Sequence, residues 1–506
     1  MAATAPARPR TDRFAGDPRW GFIRAEPYRL LIGGELVGAK DGATFQAISP
    51  RDNRAIAHIA QAGDPDVDAA VAAAREAFDH GPWGRSTARE RAQALELIAR
   101  AIEEYTDELI FLSVVDAGSV INGFKHGTID LATDSLRFFG AQAMTLTGRV
   151  AQMPDPSVQH YERLEPLGVV TEILPWNGPI WTGVQRMAAI LAAGNTVIMK
   201  PAQMASLAFA RLAELMAELD IPPGVINVLS GPGGAVGEAL VRHPGVDMVS
   251  MTGGIETGSR ILALAASSVK RVSLELGGKN PNLVLADADL DRAVFWSALG
   301  AFANTGQICV CGSRILVHRS IHDEFLRRLT EFAEGMKVGD PLDPETQVGP
   351  VVSESHADKV WKYIEIGKGE TRLVTGGAAY TDPERSLRTY IPPTIFADAA
   401  PDCRIFREEI FGPVVSVTPF DTVDEALAMA NDTTYGLASG VFTTSVDAAQ
   451  YVAARLKAGQ VYVNQWFSTG VLEAPGHGYK QSGYGGVGMQ KYMQAKQVVT
   501  RITDPA

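Results

Sequence analysis

Cysteine is scarce, with only three residues in 506, at positions 309, 311 and 403. So sparse and odd a set makes no disulfide framework. It suits a reducing compartment, and a cytoplasmic location is expected. There is no Cys-x-x-Cys pair and no His-Glu-x-x-His helix, so no metal is expected. Positive charge is also short: 46 Lys and Arg against 58 Asp and Glu leave a formal charge of −12. Such a chain repels phosphate backbones and anionic lipid, which argues against nucleic acid and membrane as partners. No apolar run reaches the roughly 18 residues of a membrane span. The most apolar central stretch is broken by Gly194 and Asn195. The first twenty residues are rich in Ala, Pro and Arg and lack the apolar segment of a secretory signal. They read as a loose, disordered N-terminus.

What is present is the material of a folded enzyme. Hydrophobic residues make up 46% and charged residues 21% of a chain too long for one core, so two or three domains are expected. From about residue 64, Val67, Ala70, Val71, Ala74 and Phe78 fall on one helical face. A second helix begins at Thr87, where Glu90 completes a capping box ahead of Leu95, Ile98 and Ile102. Short apolar runs at 169–174, 196–199, 225–229, 246–251 and 271–276 then alternate with helical stretches such as 203–219 and 234–242. This predicts a parallel sheet covered on both faces, with ligands at the carboxyl ends of its strands. A second set has strands near 282–286, 314–318 and 461–464 and helices near 289–303 and 320–335. It predicts a further α/β domain. The polar, β-prone segment 145–163 suits an extended arm.

Three residues stand out chemically. Cys309 lies in FANTGQICVCGSR (302–314), between a predicted helix and strand. Taken alone, a free cysteine is most often a small buried apolar residue. Asn304, Gly306 and Gln307 instead suggest a chain shaped to expose a sulfur. Glu275 ends an apolar strand in LELGGKNPN (274–282). It is either a strand-end ion pair, for instance with Lys279, or a general base. Asn177, in LPWNGP (174–179), either caps the following helix or offers its amide to an oxyanion.

Seven motifs occur in order: LPWN, VIMKPA (197–202), MTGG-x-x-TG (251–258), LELGGKNP, GQ-x-C (306–309), EEIFGPV (408–414) and GYKQSG (478–483). Together they closely resemble the aldehyde dehydrogenase superfamily over about residues 28–500. The resemblance implies an α/β fold with a Rossmann-like cofactor domain (21–144 and 164–277) and a catalytic α/β domain (278–483). A small β oligomerisation arm (145–163 and 484–506) implies a homodimer or homotetramer. It makes Cys309 the nucleophile, Glu275 the base for the deacylating water, and Asn177 part of the oxyanion hole. The cofactor would be NAD, held along Leu174, Pro175, Trp176, Lys200, Gln203, Gly253, Gly254, Gly258, Leu276, Glu409 and Phe411. The glycine run GPGGAVG (231–237) reads as a packing turn rather than the phosphate loop.

Departures from the family pattern bear on specificity. Where many NAD-preferring members have Glu three residues after the cofactor lysine, this chain has Gln203, which admits NADP as well. Gly254 stands where Ser is frequent. Around the expected substrate mouth Gly178, Ala303 and Gly476 are small, while Trp181, Trp466 and Phe467 return aromatic surface nearby. That pattern points to a bulky or aromatic aldehyde, against the alternative of repacking at unchanged volume. Two other functions remain open: a coenzyme A-acylating semialdehyde dehydrogenase, disfavoured by Glu275, and a non-enzymatic protein that kept the fold.

Overall fold

The computed structural model describes residues 14–124, 128–380, 387–467, 472–474, 476–486 and 488–502. The first thirteen residues of the expected loose N-terminus, and 503–506 of the expected arm, lie outside these. Residues 14–20 do not behave as expected. Asp17 accepts from the Arg19 amide at the head of a 3-10 turn, Pro18–Phe22, and Trp20 packs edge-on against Phe111 at 5.2 Å. Apolar anchors at Phe14, Trp20 and Phe22, hidden among prolines and arginines, fix this stretch against the main core.

The predicted strands form. An eight-stranded sheet runs, in spatial order, Gly483–Tyr484, Arg271–Glu275, Met248–Thr252, Val169–Ile173, Thr196–Lys200, Ile226–Val228, Leu30–Ile32 and Glu35–Val37. Its five central strands are parallel and the edges antiparallel. The parallel strands are buried on both faces, which explains why they read as unbroken apolar runs. Helices Asp64–Asp79 and Ala88–Glu104 start where expected. The second keeps both halves of its capping box, Thr87 and Glu90 bonding each other's amides.

From Val169–Ile173 the chain moves outward one way through Thr196–Lys200 to Ile226–Val228. It then returns to lay Met248–Thr252 on the opposite side. The carboxyl ends of Val169–Ile173 and Met248–Thr252 therefore flank a topological switch point, where an open α/β sheet has its ligand crevice. The loops that begin there are LPWNG and TGG.

A second sheet has the order Arg372–Thr375, Thr394–Ala397, Val414–Phe420, Arg314–His318, Pro281–Val284, Ala438–Phe442 and Gln460–Val463. All pairs are parallel except the first. The chain leaves the carboxyl end of the first sheet at Glu275 and enters the amino end of the second at Pro281, with only 276–280 between. This short link brings the ligand edge of one sheet against the strand starts of the other. A third sheet joins Arg149–Ala151, Val158–Pro166 and Met493–Arg501, all antiparallel. Among the described residues no helix is long and apolar enough to cross a membrane, and no group of three or more His, Cys, Asp or Glu is gathered to hold a metal ion.

Candidate active site

Cys309 sits just before Arg314–His318, at the amino edge of the second sheet. Helix Leu290–Phe302 ends at Ala303, and the chain then turns through three successive left-handed residues, Asn304, Thr305 and Gly306. Two of these are not glycine, so the turn has a conformational cost that side-chain bonds must offset. Ser119 Oγ donates to Asn304 Oδ1 (3.0 Å), Thr305 Oγ1 to the Gly349 carbonyl (3.1 Å), and Gln307 Nε2 to the Asn304 carbonyl (3.1 Å). At Gly306 a Cβ would lie 2.2 Å from the Gly412 carbonyl, so the EEIFGPV segment presses directly on the nucleophile loop. Below the loop, Asn280 Nδ2 donates to the carbonyls of both Cys309 (2.9 Å) and Cys311 (2.7 Å), and its Oδ1 accepts from the Ala438 amide.

The electrostatics hold the sulfur as a thiol. Burial pushes the Cys309 pKa up to about 12, and the neighbouring Glu409 and Glu275 carboxylates add to the rise. Cys311, buried behind it, is pushed to about 12 chiefly by burial. A proton acceptor must therefore accompany attack by Cys309.

Asn177 donates its side-chain amide to the Gln307 carbonyl at 2.8 Å, two residues before Cys309. It does not cap the next helix; Gly178 occupies the N-cap of Pro179–Ala192 without a side-chain bond. One Nδ2 hydrogen is used by Gln307, and the second remains for a negative oxygen. Glu275 makes no ion pair with Lys279. Its Oε1 lies 3.2 Å from His477 Nδ1, while Lys279 is buried beside Arg314 and the Glu408 and Glu409 carboxylates.

The crevice fits a dinucleotide. Lys200 ends a central strand, and its buried ammonium donates to the Pro201 carbonyl; burial lowers its pKa to about 8. Gln203 is exposed one turn further on. After Met248–Thr252, Gly253 and Gly254 lead into helix Ile255–Ala265, where a Cβ on Gly254 would meet nothing within 4 Å. That open helix N-terminus can receive a pyrophosphate. Gly258 does something else: a Cβ there would meet Leu276 at 2.8 Å, so it lets the helix close on the Leu274–Leu276 strand end. Glu409 accepts from the Gly278 amide at 2.9 Å, and a Cβ on Gly277 would collide with its carboxylate. Trp176 stands edge-on to Phe411 and to His356, each at 5.2 Å, with Leu174 buried and Pro175 half-buried before it. GPGGAVG becomes the π-turn Gly233–Gly237.

The substrate-mouth expectations are corrected in part. Trp466 is fully buried; its indole donates to the Val310 carbonyl (2.9 Å) and packs against Gly300, Gly312 and Gly440, so it is a wall behind the nucleophile loop. Gly476 opens no space, because a Cβ there would meet Gln460 at 2.1 Å. Gly178, Trp181, Ala303 and Phe467 remain half-buried.

Sequence reading also missed several charged or ionisable groups. His477 adjoins the GYKQSG motif and touches Glu275. His356, neutral because burial lowers its pKa to about 4, bonds the Phe411 carbonyl. Glu172 is a carboxylate within an apolar strand, the same signal that drew notice to Glu275. It sits level with Ser250 and Ser273 across three strands. Its oxygens make no well-formed hydrogen bond, although the Ser250 and Tyr492 hydroxyls face it, and burial raises its pKa. Arg186 and Lys491 bring positive charge to this layer, and Lys491 Nζ donates to Ser273 Oγ at 3.0 Å.

The aldehyde dehydrogenase family model matches residues 37–500. Aldehyde dehydrogenase family 2 member C4 of Arabidopsis thaliana is 42% identical, with 93% of this chain and 94% of that relative covered. Betaine aldehyde dehydrogenase of Bacillus subtilis is 40% identical over 94% of this chain and 98% of its own. Among solved structures, the NAD+ complex of a Bacillus cereus aldehyde dehydrogenase superposes with a TM-score of 0.93 at 37% identity, covering 96% of this chain and 99% of that one. Fold, motif order and these likenesses agree: the chain belongs to the aldehyde dehydrogenase family and is an oxidoreductase of the aldehyde group.

Proposed function

We propose that this enzyme oxidises a bulky or aromatic aldehyde to its carboxylic acid with NAD, admitting NADP, through a thioester on Cys309 that water hydrolyses. The observation that carries the reading is the convergence on the Cys309 loop of a carboxylate from the first sheet, Glu275, whose charge reaches the thiol, and an amide from the switch-point loop, Asn177, bonded to the Gln307 carbonyl. Cys309 gives its proton to solvent water as the sulfur attacks the carbonyl carbon. The Asn177 amide and the Cys309 backbone N–H stabilise the oxyanion that forms. The cofactor would lie along Leu174, Pro175, Trp176, Lys200, Gln203, Gly253, Gly254, Gly258, Leu276, Glu409 and Phe411, and when bound its nicotinamide supplies the hydride acceptor. Glu275 then takes a proton from water, whose oxygen attacks the thioester, and the sulfur leaves as Cys309 thiolate.

Water rather than coenzyme A is the acyl acceptor in this reading, because Glu275 has no role when a thiol removes the acyl group. The small Gly178 and Ala303 beside half-buried Trp181 and Phe467 support a wide, ring-lined mouth. We assign 21–144 with 164–277 to cofactor binding, 278–483 to catalysis and 145–163 with 484–506 to assembly, in a cytoplasmic enzyme. A panel of aliphatic, aromatic and quaternary-ammonium aldehydes, including betaine aldehyde, followed by NADH absorbance with and without coenzyme A, tests substrate and acceptor. Cys309→Ala should abolish turnover while NAD still quenches tryptophan fluorescence. Substantial dehydrogenase activity in that variant refutes the thioester route.

A further inference from the structure

His477 is a polar side-chain neighbour of Glu275. His477 Nδ1 lies 3.2 Å from Glu275 Oε1, and the two side chains are 25% and 13% exposed. Backbone contacts on both sides impose this proximity. Glu275 pairs with Gly483, Leu276 N–H donates to the Ser482 carbonyl (2.9 Å), and Ser482 Oγ donates to the Gly277 carbonyl (2.7 Å). The far end of the segment is pinned as well. Tyr479 N–H donates to the Gly436 carbonyl, and the His477 carbonyl lies where a Cβ on Gly459 would be, 1.5 Å from it. A histidine held so by its own main chain has little freedom to leave the carboxylate.

On its inner side Glu275 faces Arg186 and Lys491, with Tyr492 and Cys309, all of which feel its charge. Arg186 favours the ionised carboxylate, and so does Lys491 while it keeps its proton, although burial lowers its pKa to about 7. An imidazolium at the outer oxygen would add positive charge and weaken the base further. A neutral imidazole with its proton on Nδ1 donates one hydrogen bond and adds no charge.

We propose that His477 is a positioning residue for the general base: it anchors Oε1 of Glu275 and leaves Oε2 for the attacking water. The inference rests on the assignment of Glu275 as that base. In the step concerned, an O–H bond of water breaks and its proton passes to Glu275 Oε2. The water oxygen bonds to the thioester carbonyl carbon, and the C–S bond breaks with its electron pair on Cys309. His477 stays outside the bond changes.

The test measures acyl-enzyme hydrolysis directly. Full-length enzyme with saturating NAD receives one equivalent of an aldehyde from the panel, and acyl-Cys309 peptide is followed by quench and mass spectrometry between pH 5.5 and 9. His477→Gln, which keeps a neutral donor, should keep the NADH burst and hydrolyse acyl-enzyme at close to the wild-type rate. His477→Ala should keep the burst and hydrolyse about tenfold more slowly at every pH, because the base is no longer held in place. Hydrolysis at the wild-type rate in His477→Ala, no rescue by His477→Gln, or a burst lost in both variants, would overturn the proposal. Glu275→Gln separates the two levels. If it hydrolyses acyl-enzyme normally, the base assignment fails and this inference with it. If it stalls after the burst while both His477 variants match wild type, only the role of His477 fails.

Discussion

In the cofactor site proposed above, the pair Lys200 and Gln203 would set the choice between NAD and NADP. The Lys200 ammonium is buried at the end of its strand and donates to the Pro201 carbonyl. A carboxylate three residues on would accept from both ribose hydroxyls and repel a 2′-phosphate. The exposed Gln203 keeps an acceptor and removes the repulsion. NADP should therefore be used within about tenfold of NAD in kcat/KM, a gap of roughly 1.4 kcal/mol. Gln203→Glu should widen the preference for NAD by raising the KM for NADP. The pH dependence has a definite sign. With its pKa lowered to about 8, Lys200 is a cation below that pH and loses its charge as pH rises through it. Use of NADP should then fall relative to NAD between pH 7 and 9, since only the 2′-phosphate needs the cation. Steady-state kinetics with both cofactors check this, and a thousandfold wild-type preference for NAD would refute it.

At the scale of an element, the Cys309 loop is a strained turn clamped from below. Asn280 holds the Cys309 and Cys311 carbonyls and the Ala438 amide together. Asn280→Ala leaves buried backbone groups without partners, which should cost on the order of 2 kcal/mol in thermal unfolding. It should also lower kcat by about tenfold or more, because the sulfur loses its fixed position. Cofactor affinity should hardly change, as the Lys200 and Gly253–Gly254 sites stand on other elements. Unaltered kcat in a destabilised Asn280→Ala would show that the loop keeps its shape without this clamp.

For the whole molecule, the three-stranded sheet matters most. Val150 pairs opposite Tyr161, and Tyr161 opposite Val498, so the three make one apolar row across the strands. Val150 is 81% and Tyr161 45% exposed, on a sheet whose outer strands, Arg149–Ala151 and Met493–Arg501, pair with no further strand among the described residues. An apolar row beside unpaired strand edges is a surface that a second copy of the chain can cover. Light scattering of wild type should give the mass of a dimer or tetramer, and Val150→Lys with Tyr161→Lys should give a smaller species. A monomeric wild type, or a double variant of unchanged mass, would count against this surface.

The sequence alone determined the parts whose signals are local. The central parallel strands appear as short apolar runs because both faces of such a strand are buried. The helix after Thr87 is announced by its capping box. The family follows from motifs that keep their order, whatever the loops between them do. Tertiary structure decided what depends on which distant segments meet. Trp466 looked like a pocket wall and is core, because Gly300, Gly312 and Gly440 come together to receive it. Gly476 looked like open space and is filled by Gln460. Phe14 and Trp20 looked like parts of a loose tail and are anchored, because Arg51 lies beneath both and Phe111 beneath Trp20. His477 reaches Glu275 across 202 residues through an antiparallel edge pair that no periodicity announces. Strand and helix patterns arise from neighbours in the chain, whereas the partner of a buried carboxylate is fixed only when the edges of the two sheets are brought together.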